Sequence, residues 1–239
     1  RVSVVELTST TQGDLVRKVR EGNAKVGDVI IAEFQSAGRG RLDRSFEAPK
    51  STALLFSFYI EPKRSRDDWG WIPLIAGYCV AQSLHAFHPK IKWPNDIYLD
   101  GKKLGGILIE SNFQAGKWAF SIVGIGLNIN QLDFEGLRAT SLRQWTQNPQ
   151  AIDIAEIYKH IAFGIENQYE TFANQGFISI DDTYHEKLFR KEAWHSFEDK
   201  NGIFEGKIVR VNEQGLVEIE RNLGTESYEI KELSFIFKD

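Results

Sequence analysis

Between residues 35 and 49 the chain reads QSAGRGRLDRSFEAP. Gly38 and Gly40 alternate with Arg39 and Arg41, and Arg44 follows three positions on. Glycine lets successive backbone N–H groups point into one concavity, which suits phosphate oxygens. Each arginine adds a planar fork that can hold a phosphate or a carboxylate through two parallel hydrogen bonds. The stretch is not a P-loop, which needs Gly-Lys-Ser/Thr, and it lacks the third glycine of a dinucleotide fingerprint. Taken alone it is compatible with a solvated surface loop as well as with an anion site.

A second cluster is KWPND, Lys92 to Asp96. Pro94 fixes its own φ and pushes Trp93 toward extended backbone, so the turn is a stiff mount for a lysine. Asn95 and Asp96 offer oxygens that suit Mg²⁺, with a backbone-capping turn as the plainer alternative. In KKLGGILIE (102–110), Gly105 and Gly106 follow Lys103. Paired glycines in a strand signal a bulge, a ligand close to the backbone, or tight strand packing. In GIGLN (124–128) small residues precede Asn128, whose amide can read a base edge. His85 and His88 lack a zinc pattern, and no Gly-x-Ser-x-Gly elbow is present.

These segments need a scaffold. Strands are predicted over 4–10, 28–35 and 52–62, the second buried on both faces and the third closed by Pro62. Helical spacing marks 11–22, stopped by Gly22, and an apolar-faced helix is predicted over 71–87. Two strands are expected around a turn at Asp100-Gly101, then another over 119–130. Ile154, Ile157, Ile161, Ile165, Tyr169 and Phe172 define an amphipathic helix. Past residue 190 the texture changes to short alternating strands, the pattern of a small all-β unit packed on the rest.

The 239 residues are 42% hydrophobic and 26% charged, with a net charge of −4. That suffices for one sizeable core and a small extra unit. A general nucleic-acid binder is usually basic, so any positive patch must be local. Cys79 is the single cysteine, which rules out an internal disulfide and makes a cytoplasmic location the default. No apolar run reaches a membrane span.

STT (9–11), QSAGRGR (35–41), KWPND (92–96), KLGGILIE (103–110) and GIGLNIN (124–130), in that order, resemble the biotin protein ligases, and the likeness extends to the C-terminal β unit. The resemblance implies an α/β (α+β) fold. A mixed β-sheet catalytic domain of the class II aminoacyl-tRNA synthetase type spans 1–189, and a small SH3-like β-barrel spans 190–239. It also implies a short, enzyme-only form without the N-terminal DNA-binding domain of longer members. Biotin and MgATP are expected to give biotinyl-5′-AMP. A lysine of a biotin carboxyl carrier domain, as in acetyl-CoA carboxylase, then takes the biotin. No DNA and no membrane partner is expected, and a homodimer through an exposed strand is open.

By the same resemblance Lys92 contacts biotin and the activated ester, with Lys103 on the phosphates. Arg39, Gly40 and Arg41 match the loop that closes over biotin and the adenylate. Ser9, Thr10, Thr11 and Gln35 match the polar positions around biotin, and Gly106 lies against it. Phe46, Asn95 and Asn128 are assigned to the adenylate, Asn128 to adenine. Asp96 is a candidate for Mg²⁺ and for accepting the proton of the acceptor amine. Asp43, Phe46 and Thr11 stand where the family usually has Gly, Trp and Asn, which bears on tightness of binding. The rival readings are a lipoate or octanoate ligase or transferase of the same superfamily, and a non-catalytic regulator that binds biotinyl-AMP or nucleic acid.

Overall fold

The computed structural model describes residues 1–41, 44–61, 72–175, 181–191, 193–212 and 214–237. Asp43, Pro62 and Trp71 lie outside the described residues.

Strand β1 (Val2–Thr8) leads through helix α1 (Thr11–Arg20) to β2 (Val29–Gln35), and the two strands run parallel. Thr10 caps α1, its hydroxyl accepting the N–H of Gly13 at 2.8 Å. Gly22, at φ 71°, stands where the sequence ends the helix. Strand β3 (Ala53–Ile60) returns antiparallel to β2. Helix α2 (Ile72–Ser83) then crosses the sheet. It begins with Pro73, tolerated in a first turn where N–H groups have no helical partner.

The predicted pair of strands around Asp100-Gly101 is three strands. They are β4 (Lys90–Lys92), β5 (Asp96–Leu99) and β6 (Lys102–Gln114). KWPND is the tight turn between β4 and β5, which pairing-free propensity could not separate. Asp100 and Gly101, at φ 45° and 73°, make the next turn. Strand β7 (Lys117–Asn128) completes a seven-stranded sheet of order β1-β2-β3-β7-β6-β5-β4. Only β1–β2 is parallel, so the sheet is mixed. The expectation that β2 is buried on both faces is corrected: Ile30 and Ala32 are buried, while alternate residues are partly open, because β2 lies one strand from the sheet edge.

Beyond a short helix, α3 (Leu142–Thr146), helix α4 (Ile154–Gln175) packs on α2. At their crossing a Cβ on Gly164 would lie 2.3 Å from Ser83 Oγ, so glycine sets the approach. α2 is therefore covered on both sides, by sheet and by α4, and buries far more than one face.

After α5 (Asp181–Glu186), strands β8 (His195–Asp199), β9 (Gly202–Val211), β10 (Val217–Arg221), β11 (Gly224–Tyr228) and β12 (Ser234–Phe235) form an antiparallel sheet of order β11-β10-β9-β8-β12. Its buried residues Phe197, Ile208, Val217 and Ile219 belong to the same hydrophobic cluster as Leu54, Trp93 and Val123 of the first sheet. One continuous core thus holds the two sheets in fixed relation.

Candidate active site

The sheet carries a cavity of about 590 Å³ whose lining includes residues from β2, β3, β6, β7, the KWPND turn, the Gly/Arg segment and the C-terminal segment. One part of its wall is polar and uncharged. Gln35 Oε1 accepts from the backbone N–H of Thr11 at 2.8 Å and from its hydroxyl at 3.1 Å. That hydroxyl also lies 2.8 Å from Ser57 Oγ. Gln12 donates its amide to the carbonyls of Leu108 (3.1 Å) and Ile122 (3.3 Å), which fixes its orientation. A Cβ on Gly124 would sit 3.0 Å from Gln12 Oε1 and 3.3 Å from Ser57 Oγ, so the missing side chain leaves these groups room. Thr10 lines the cavity, although its hydroxyl caps α1. Ser9 does not line it: Ser9 is exposed, and its carbonyl accepts from Ala37 N–H at 3.0 Å.

The Gly/Arg segment folds back over this wall. Arg39 pairs with Ser45 as an antiparallel bridge, and Phe46 N–H bonds to Gly38 O at 3.0 Å. Only glycine fits position 38, where a Cβ would lie 2.3 Å from Phe46 O. The Phe46 ring lies across Gly126 of β7, 3.1 Å from where a Cβ would stand. Arg41 bonds to Asn95 Oδ1 at 3.3 Å, and burial lowers its pKa while Asp96 opposes the shift. Arg39 is mostly exposed, with its guanidinium 4.0 Å from Glu110. Arg39, Gly40, Arg41, Arg44 and Phe46 all line the cavity.

Lys92 enters from the end of β4. Its ammonium lies 4.4 Å from the centre of the Phe235 ring and 5.9 Å from that of Tyr98. Burial pushes its pKa down to about 8; Asp96 opposes this, and Lys103, Arg44 and Arg190 add to it. Lys103 pairs with Asp96 at 2.8 Å. A Cβ on Gly106 would meet that pair, 3.2 Å from Asp96 Oδ1 and 3.5 Å from Lys103 Nζ. Opposite Gly105 the β5–β6 register shifts, a β-bulge of the kind the paired glycines signal. Asn95 is already engaged: its amide donates to Ile107 O at 2.7 Å and its oxygen takes the Arg41 bond. The oxygens of this turn are therefore already in use, Asn95 Oδ1 by Arg41 and Asp96 Oδ1 by Lys103. Among the described residues no group of three or more His, Cys, Asp or Glu is placed to hold a metal.

Asn128, assigned from sequence to adenine, is buried with its amide donating to Thr140 O at 3.2 Å, and it does not line the cavity. It ties the end of β7 to the following loop. Other lining residues escaped the sequence reading. Gln12 follows STT directly, and Ser57 is a lone hydroxyl within the apolar run ALLFSFYI, a legible sign of a polar site under a sheet. Tyr98, Ile230, Lys231, Leu233, Phe235 and Phe237 also line the cavity, and all but Tyr98 come from the last segment.

Fold and cavity define the class: an α/β enzyme in which a cationic loop, two lysines and a set of neutral polar side chains line one cavity. The comparisons with known proteins give the family. Residues 4–128 match the model of the "Biotin/lipoate A/B protein ligase family". The bifunctional ligase/repressor BirA of Bacillus subtilis is 30% identical over 92% of this chain and 69% of its own length. The biotin–[acetyl-CoA-carboxylase] ligase of Mycobacterium tuberculosis is 36% identical over 55% of this chain and 50% of its own. The solved biotin protein ligase of Aquifex aeolicus, in complex with biotin and ATP, superposes with a TM-score of 0.83 at 26% identity, covering 100% of this chain and 99% of that one. The chain belongs to the biotin/lipoate A/B protein ligase family.

Proposed function

We propose that the protein is an ATP-dependent biotin protein ligase. The carrying observation is the convergence of Lys92, Lys103, Arg39 and Arg41 with Thr11 and Gln35 on one cavity, in an acidic chain whose full-length structural relative is a biotin protein ligase. A carboxylate and a triphosphate repel each other, so activation requires positioned cations between them. Lys92 holds the carboxyl and α-phosphate oxygens, and Lys103 and the two arginines hold the phosphates. The biotin carboxylate attacks the α-phosphorus, giving biotinyl-5′-AMP and pyrophosphate. The ureido ring needs both donors and acceptors, which Thr11, Gln35, Gln12 and Ser57 supply.

In the second step the neutral ε-amine of a carrier lysine attacks the acyl carbon, and AMP leaves. The proton that the amine loses as the amide forms goes to solvent water, since the Asp96 carboxylate is engaged by Lys103 at 2.8 Å. Mg²⁺ bound with ATP would balance charge on the triphosphate, and Asp96 is the carboxylate that would help to hold it. The acceptor is the biotin carboxyl carrier domain of acetyl-CoA carboxylase or a related carboxylase, and the location is cytoplasmic. No helix among the described residues is long and apolar enough to cross a membrane. The edge strand β1, with exposed Val2, Val4 and Leu7, offers a surface for a homodimer.

The test is pyrophosphate release dependent on both biotin and ATP, followed by transfer of labelled biotin to a carrier lysine. Octanoate and lipoate are the controls. Release with those acids and not with biotin overturns the assignment.

A further inference from the structure

We propose that Phe235 of the second sheet is a positioning residue for Lys92, so that the C-terminal sheet sets the geometry and the ionisation of the activating lysine. The proposal rests on the ligase reading for its kinetic consequence, and on geometry for the rest.

Phe235 lies in the two-residue strand β12, the last strand among the described residues. It pairs with Phe197 of β8 and packs edge-on against that fully buried ring, with centroids 5.1 Å apart. That packing fixes the ring plane. The Lys92 ammonium stands 4.4 Å from the ring centre, well inside the range where an aromatic face attracts a cation. Two opposed effects follow from one side chain. The ring displaces water from the ammonium, which favours neutral lysine, while its quadrupole favours the charged form. Lys92 thus stays aimed into the cavity without a carboxylate bonded to it directly.

The other charged groups facing Lys92 are Asp96 on β5, Lys103 on β6, Arg44 on the Gly/Arg segment and Arg190 before β8, with Tyr98 on β5 the second ring. Three of the four charges are positive, so the lysine sits among cations that await an anionic ligand. In that setting the ring is the neutral group that holds the ammonium in place before the ligand arrives.

Substitutions separate the two effects. Phe235→Leu keeps bulk and removes the π face, so Lys92 should titrate lower, by roughly half a pH unit. Phe235→Ala opens the site to water, so Lys92 should titrate higher, toward the ordinary lysine range. Phe235→Tyr keeps the face and should leave the titration unchanged.

Two readouts are taken. Competitive trace acetylation of Lys92, followed peptide by peptide across pH without substrates, reports the titration whether or not the protein is a ligase. The alkaline limb of kcat/KM for biotin in pyrophosphate release reports the same group in the free enzyme. Expected are opposite displacements for the leucine and alanine variants, rescue by tyrosine, and kcat falling more than the biotin KM rises in both. If alanine fails to fold, leucine against tyrosine carries the comparison. Identical Lys92 titration in wild type and the leucine variant, or parallel displacement of leucine and alanine, overturns the proposal. Normal displacements with no biotin-dependent pyrophosphate release would sink the ligase reading and leave the positioning role standing.

Discussion

Trp93 donates its indole N–H to the carbonyl oxygen of Gly215, 3.1 Å away and 122 residues along the chain. Trp93 belongs to the turn that delivers Lys92, and Gly215 to the turn between β9 and β10. The indole is 2% exposed and sits in the core shared by both sheets. The bond therefore fixes the second sheet against the turn that follows Lys92.

Trp93→Phe keeps much of the apolar volume and removes the donor. It should lower stability by about 1–3 kcal/mol, because the carbonyl it leaves loses its partner. It should also lower the rate of adenylate formation, since the turn and the second sheet lose register. Urea unfolding and pyrophosphate release on the same preparation check both. Unfolding should remain a single transition, as one core spans the sheets; a separate early transition of the C-terminal sheet would contradict it.

The burial of Lys92 costs stability. Its folded-state pKa is about 8 against 10.5 for the ordinary group, and burial is the main cause. Between those values the unfolded chain holds a proton that the folded chain has released, so this group's contribution to stability rises with pH across that window. Below pH 8 both states are protonated and the full cost of burying the charge is present. Lys92→Met should stabilise the protein at pH 7 by up to about 3 kcal/mol, and the gain should shrink above pH 9. Biotin-dependent pyrophosphate release should fall by a factor on the order of 1,000. Thermal unfolding at pH 7 and pH 10 with a parallel activity assay tests the pair of effects.

Many of the residues that line the cavity are legible in the sequence, and the others are hidden for physical reasons. Lys92, Asp96, Lys103 and the arginines stand out because lysine and arginine beside Gly or Pro suit exposed, shaped backbone. Glycines 38, 105 and 106 mark close approaches, and each proves tight or beside an ion pair. Ser57, a lone hydroxyl in an apolar strand, carries a sequence signal of its own for the polar wall. The C-terminal wall was not legible: Phe235 and Phe237 look like ordinary apolar residues at the end of the chain. Only tertiary packing, through Trp93 and the shared core, brings them to the cavity. Asn128 shows the reverse case, a polar residue beside small ones whose amide closes a loop. Strand count around KWPND was also hidden, because a three-residue β4 has too few residues to display a period.

The Gly/Arg segment should respond to ligands. In the structure the Arg39 side chain is mostly exposed and 4.0 Å from its carboxylate, whereas Arg41 is half-buried against Asn95. An acyl adenylate hydrolyses when water reaches it, so phosphate contacts that pin both arginines would close the site. Biotin plus ATP should protect the bonds after Arg39 and Arg41 from trypsin by tenfold or more, and biotin alone less. Equal cleavage rates with and without both ligands count against a closing segment.

Gly126 offers the sharpest test of how that segment is seated. Its would-be Cβ lies 3.1–3.2 Å from three atoms of the Phe46 ring, closer than side chains ordinarily approach. The ring packs there with Ala48, Ala53 and Leu55, a small cluster separate from the main core. Gly126→Ala should therefore push Phe46 off β7 while the sheet survives, costing stability only modestly, about 1–2 kcal/mol. The Gly/Arg segment, anchored through Phe46 N–H to Gly38, should lose its seat, and KM for ATP should rise about tenfold. Phe46→Leu in the Gly126→Ala background trades ring for a smaller, flexible side chain and should restore part of the affinity. A double-mutant cycle with coupling of zero would show that Phe46 and Gly126 act independently, and that the ring does not seat the loop.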